Sequence, residues 1–183
     1  MRQLLILSGK GGTGKTTVAG AFIYFSQAKA YADCDVDAPN LHLLMNCTCA
    51  PTSSHYYGMQ TATIDSACCT DCGLCRDHCR FDAIRFDGIY FVDRSACEGC
   101  GVCEYVCPSH AISLCDNLAG EILLYQDDFC FATARRTLGS GISGKLVTEV
   151  KKKLLASSSE PFCIIDGSPG IGCPVIASLS GVD

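Results

Sequence analysis

The cysteines between residues 69 and 107 constrain this chain more than any other feature. Cys69, Cys72, Cys75 and Cys79 follow the spacing C-x2-C-x2-C-x3-C, and Cys97, Cys100, Cys103 and Cys107 repeat it. The repetition reaches beyond the cysteines at a constant offset of 28 residues: Ile64-Asp65 matches Val92-Asp93, Gly73 matches Gly101, and Ala83-Ile84 matches Ala111-Ile112. Two copies of one small unit therefore lie in tandem. Three thiolates from one short loop can grip one face of a cubane cluster, and the fourth, displaced by the x3 step, crosses to the other cluster. The expected ligand sets are Cys69, Cys72, Cys75 and Cys107 for one [4Fe–4S] cluster, and Cys97, Cys100, Cys103 and Cys79 for a second. Cys68 aligns with Ala96, which makes Cys69 the ligand and Cys68 the spare. Structural zinc is the alternative, but its sites usually use two separated C-x2-C pairs rather than four close cysteines.

Sixteen cysteines in 183 residues could also signal a disulfide scaffold. The opening "MRQLLILSGKGG" opposes that, because its apolar run is short and no small-residue cleavage site follows. A reduced, cytoplasmic setting is the expectation. No segment approaches the roughly 18 apolar residues of a membrane span. Net charge is −5 with no basic tail, so nucleic acid is not expected as a partner. Lys151, Lys152 and Lys153 read as the solvated face of a helix. Cys34, Cys47, Cys49, Cys115, Cys130, Cys163 and Cys173 read mostly as small buried hydrophobes. Four cysteines complete each cluster site, which leaves His42, His55, His78 and His110 structural or exposed.

Outside the repeat the chain alternates short apolar runs with helical stretches. Strands are expected at 3–7, 30–35 and 127–133, a fourth apolar run lies at 161–170, and helices are expected at 16–28 and 143–155, the latter with Leu146, Val147, Val150 and Leu154 on one face. Such alternation predicts an α/β fold with a parallel sheet. The repeat interrupts it, giving residues 1–59, 60–116 and 117–183 as first part, insert and second part. The stretches "PTSSHYYGMQTA" and "CDNLAGE" read as linkers.

The first strand runs into "SGKGGTGKTT", which completes G-x-x-x-x-G-K-[ST] with Gly9, Gly14, Lys15 and Thr16. Residues Gly9, Lys10, Gly11, Gly12, Thr13, Gly14, Lys15, Thr16 and Thr17 would form a cradle of backbone N–H groups opening a helix. Lys15 is expected at the β- and γ-phosphates of ATP, the Thr16 hydroxyl on Mg²⁺, and Thr17 at the α-phosphate.

Two resemblances extend this reading. Residues 60–116 resemble a bacterial-type ferredoxin domain with two [4Fe–4S] clusters; Cys107-Pro108 keeps that family's proline, whereas Cys79 is followed by Arg80. "GKGGTGKT" resembles the deviant phosphate loop of the MinD, ParA and nitrogenase iron protein superfamily. "ADCDVDAPNLHLL" and "CIIDGSPGIGCPVI" resemble its two switch segments. The resemblance implies a P-loop NTPase parallel sheet with an inserted α+β ferredoxin-like domain, closing as an ATP-dependent homodimer. It gives Lys10 a role in trans on the partner copy's phosphates and Asp35 the attacking water. Asp33 would act on Mg²⁺ through water, and Asp166 would sit near the metal; Lys10, Lys15 and Asp35 would be the catalytic set. It further implies that the family continues with more strands after Asp183, and hence a C-terminal truncation here. The functional expectation is an ATPase coupling nucleotide state to electron transfer toward a redox partner protein. The alternatives are an iron–sulfur carrier or assembly ATPase of the Mrp type, and a binding module with a vestigial ATPase part.

Overall fold

The computed structural model describes residues 1–137 and 143–183. In chain order the elements begin β1 (Arg2–Ile6), α1 (Lys15–Ser26), β2 (Ala30–Asp33), α2 (Leu41–Leu44), β3 (Thr52–Tyr57) and β4 (Thr61–Ile64). There follow α3 (Leu74–Asp77), β5 (Ile84–Phe86), β6 (Tyr90–Val92), α4 (Val102–Tyr105) and β7 (Ile112–Cys115). The remainder comprises β8 (Leu118–Gln126), β9 (Cys130–Arg136), α5 (Ser143–Ser157), β10 (Phe162–Asp166) and α6 (Cys173–Leu179). Two compact units emerge: residues 1–56, 120–136 and 143–183 form one, and residues 57–119 with Thr137 form the other.

The first unit is built on a six-stranded sheet of order β1-β10-β2-β9-β8-β3. Side chains alternate across a strand, and here the alternation feeds two apolar layers. Ala30, Ala32, Ala132, Ala134, Cys163 and Ile165 face α5, whose Leu146, Val147, Val150 and Leu154 are all buried. Tyr31, Leu123, Phe131 and Ile164 point to the opposite face, where Ala19 and Ile23 of α1 and Leu41 of α2 cover them. Because β2 and β10 are covered on both sides, they are apolar without a polar face.

Three sequence expectations need correction here. The sheet is mixed rather than parallel: β1, β10, β2 and β9 run parallel, but β8 pairs antiparallel with β9. Residues 127–129 leave room only for a hairpin, which forces antiparallel pairing. The stretches read as linkers contain strands, since β3 lies within the first and β8 begins within the second. Lys151 is not on a solvated face. It is buried, and its ammonium donates to the carbonyls of Ser178 at 2.8 Å and Ser180 at 2.5 Å, at the end of α6. A cation there satisfies carbonyls that the helix leaves without partners.

The second unit displays the internal repeat as structure. β4 pairs antiparallel with β7 and β5 with β6, so the outer strands of the two copies pair, and so do the inner ones. The short helices α3 and α4 occupy equivalent positions, each entered through a left-handed glycine, Gly73 at φ 78° and Gly101 at φ 77°. Left-handed residues recur in matched pairs: Asp71 with Gly99, and Asp82 with His110. The apolar core is thin. Ala62, Cys75, Ile84 and Ile112 are its buried members, and Cys79, Cys97, Cys103 and Cys107 pack around them. A unit this small usually needs a metal or other staple to hold its fold.

Candidate functional site

The glycine-rich loop follows β1 and delivers Lys15 as the first residue of α1. Gly12 and Gly14 have φ of +76° and +85°, values that suit glycine, and nothing lies within 4 Å of where a Cβ would stand at Gly9, Gly11, Gly12 or Gly14. The loop is therefore open on that side, with backbone free to approach an anion. Lys15 turns inward, and its ammonium donates to Asp166 Oδ1 at 2.5 Å. Asp166 ends β10 and is fully buried, and its second oxygen, Oδ2, has no hydrogen-bond partner. Such an orphaned carboxylate oxygen suits a cation or its water shell. Thr16 is half-buried beside Lys15, whereas Lys10, Thr13 and Thr17 are exposed. The Lys10 carbonyl accepts the hydroxyls of Ser8 and Thr13.

Asp33 stands directly across from Asp166 in the β10–β2 register. It too is fully buried, and its carboxylate accepts three backbone N–H groups: Asp35 at 3.0 Å, and Asn40 and Leu41 at 2.9 Å each. Those bonds fold residues 35–41 back over the strand end. Burial nevertheless pushes the Asp33 carboxyl up to about 6, with the nearby Asp166 adding to the rise and the N–H groups opposing it. The Asp35 carboxyl is also raised, first by burial, while Lys15 pulls it down and Asp166 and Asp37 push it up. Asp33, Asp35 and Asp166 are thus near enough to act on one another's charge, with Lys15 as the counter-charge to Asp166.

The loop after β10 is tied into the same place. Gly167 N–H donates to Ile6 at 2.9 Å and Gly170 N–H to Ser8 at 3.1 Å. A Cβ on Gly167 would come within 2.5 Å of Leu7 and 2.8 Å of Leu5, so both side-chain ends would have to shift, and it would stand 3.1 Å from the Ile6 carbonyl. Ser168 carries no motif that would single it out, yet it is buried and its hydroxyl donates to the Cys34 carbonyl at 2.5 Å. It links the ends of β10 and β2.

In the second unit the eight cysteines divide between two cavities. One is lined by Cys69, Cys72, Cys75 and Cys107. The other is lined by Cys79, Cys97, Cys100 and Cys103. The fourth cysteine of each repeat therefore faces the other repeat's cavity. Among the described residues no three His, Cys, Asp or Glu side chains are gathered closely enough to hold a metal ion. Four thiols on one cavity are nonetheless the donor set that a [4Fe–4S] cluster takes. Burial raises the Cys75 and Cys103 thiols alike, so metal is what would draw thiolates there. Backbone amides already point at sulfur: Ala111 N–H to Cys107 at 3.3 Å, and Ala62 N–H to Cys97 at 3.5 Å. Cys68 is exposed and lines neither cavity.

A family model described as "4Fe-4S binding domain" matches residues 90–113, which contain Cys97, Cys100, Cys103 and Cys107. This chain carries a 4Fe–4S binding domain. Over 184 residues it is 34% identical to an uncharacterized protein of Methanocaldococcus jannaschii, spanning 99% of this chain and 64% of that protein. A second uncharacterized protein of the same organism is 28% identical over 189 residues, spanning 100% of this chain and 67% of that one. The chain thus spans about two thirds of the length of the curated relatives it matches. Among the described residues no helix is long and apolar enough to cross a membrane.

Proposed function

We propose that this chain holds two [4Fe–4S] clusters and Mg–ATP, and that nucleotide state governs electron transfer through the clusters to a partner protein. The reading rests on one observation above others: each cavity is lined by four cysteines drawn from both repeats. The clusters would supply one-electron carriers, and Cys69, Cys72, Cys75 and Cys107 would hold one, Cys79, Cys97, Cys100 and Cys103 the other. In the first unit, Lys15 would exchange Asp166 for phosphate oxygens, freeing both Asp166 oxygens for the Mg²⁺ shell shared with Thr16. Asp33 would keep residues 35–41 in place, so that Asp35 can hold a water at the γ-phosphate. Lys10, exposed on the loop, would serve a second copy of the chain. Gly170, at φ +94°, supplies the backbone freedom a switch segment uses.

The superfamily assignment to MinD-like ATPases, the homodimer and ATP hydrolysis all belong to this proposal. They are supported by the strand–loop–helix setting of Lys15 and by the meeting of Lys15, Asp166 and Asp33 at adjacent strand ends. The same arrangement argues against a vestigial ATPase part. The carrier alternative predicts rapid donation of iron to an apo-protein. Cys75 is buried and Cys79, Cys97, Cys103 and Cys107 pack into the unit's own core, which favours retention. The test is an anaerobic redox titration of the full chain with and without Mg–ATP, followed by EPR. The proposal expects nucleotide to shift the midpoint potentials. Identical titrations, with ATP binding independently verified, would refute the coupling.

A further inference from the structure

The two cavities are related by the 28-residue repeat, so their walls can be compared position by position. They are not chemically equal. The first is lined by Thr70, Tyr90 and Ser109. The equivalent positions in the second are Glu98, Ala62 and Phe81, and all three line it. Three hydroxyl-bearing residues thus face one set of thiols, where a carboxylate, a methyl group and a phenyl ring face the other.

Building on the two-cluster reading, we propose that these wall residues set the order of reduction: the site of Cys69, Cys72, Cys75 and Cys107 takes the first electron. The potential of a cluster rises with hydrogen bonds to its sulfurs and falls with nearby negative charge. Backbone N–H groups reach sulfur in both, Ala111 to Cys107 at 3.3 Å and Ala62 to Cys97 at 3.5 Å. The side chains differ more. Ser109 Oγ lies 3.6 Å from Cys107 Sγ, an added dipole on the same sulfur as the Ala111 N–H. Phe81, its counterpart, has no polar hydrogen to offer.

The second layer leans the same way. Arg76, whose guanidinium lies 5.6 Å from the centre of the Tyr90 ring, occupies the position of Glu104 in the other repeat. Charges of opposite tendency are present as well. Asp71, counterpart of Gly99, has its carboxylate 3.6 Å from Cys69 Sγ, and Asp77 lies 3.7 Å from Arg76. Arg80, counterpart of Pro108, follows Cys79. All of these charges, Arg76, Glu98 and Glu104 included, are exposed and screened by solvent, which leaves half-buried Ser109 beside Cys107 as the contact that decides the difference. An electron delivered by a one-electron donor to the second site therefore passes on to the first, which fixes a direction within the unit.

The test starts with iron and sulfide analysis of the anaerobically prepared full chain. Fewer than about eight iron per chain, four for each cluster, would refute the two-cluster reading itself. With that count met, dithionite titration followed by EPR should resolve two one-electron steps. S109A and T70V should lower the upper step and leave the lower one in place. E98Q and F81S should raise the lower step, and F81S does so by adding a hydroxyl rather than removing one. If S109A moved the lower step, if E98Q moved the upper one, or if F81S and E98Q left both steps unmoved, the assignment would be overturned.

Discussion

Replacing Lys15 with methionine keeps most of the side chain's length and removes its charge, which isolates what the ammonium does before any nucleotide arrives. Lys15 and Asp166 have side chains only 6% and 0% exposed, and their charged atoms are 2.5 Å apart. At an effective dielectric of about 20, opposite charges roughly 3 Å apart attract by about 5 kcal/mol. Removing one member of a buried pair costs about 3–5 kcal/mol, because the other charge stays buried alone. The upper part of that range applies here, since Asp33 and Asp35 stand in the same field. K15M should therefore lose about 5 kcal/mol of stability. D166N in the same chain should restore at least half, because it removes the stranded charge. Urea unfolding followed by far-UV circular dichroism is the assay, the chain having no tryptophan. The reasoning is refuted if K15M unfolds within about 1 kcal/mol of the parent, or if the double variant is no more stable than K15M.

Further outcomes follow from the same geometry. Asp33 is raised to about 6 by burial, against an unfolded value of about 3.9, so the native state binds the extra proton between those values. Its contribution to the stability of the nucleotide-free chain should fall as pH rises from about 4 to about 6, and D33N should flatten that slope in pH-dependent urea titrations. G167A should destabilise by about 1–3 kcal/mol in the same assay, since its methyl group would meet Leu5, Leu7 and the Ile6 carbonyl. Stripping iron with a chelator under anaerobic conditions should unfold residues 57–119, whose apolar core is thin, and leave the α/β unit formed. Amide hydrogen exchange would display this as lost protection confined to that stretch.

What could be read directly from the chain was local or periodic. The four-cysteine sets follow from short-range spacing plus the repeat, and each set lines one cavity. The α5 stripe was legible because Leu146, Val147, Val150 and Leu154 share a face. The strand–loop–helix around Lys15 was legible for the same kind of reason. What escaped was decided by tertiary partners. β3 is half polar, and nothing in "TSSHYY" announces that a sheet will claim it. Lys151 looks like its neighbours Lys152 and Lys153 until the end of α6 arrives to occupy it. Asp33 carries an acid's usual ambiguity at a strand end, and only the fold shows its oxygens committed to the N–H groups of residues 35, 40 and 41. Thr70, Tyr90 and Ser109 were in the repeat all along. Their meaning required seeing them on a cavity wall.

Two cubane clusters held within residues 57–119 of one polypeptide are the premise of every redox outcome above. Iron and acid-labile sulfide, counted per chain on protein prepared without oxygen, test that most directly. A two-cluster chain should yield about eight of each, four per cluster. Four of each, or zinc in their place, would contradict it.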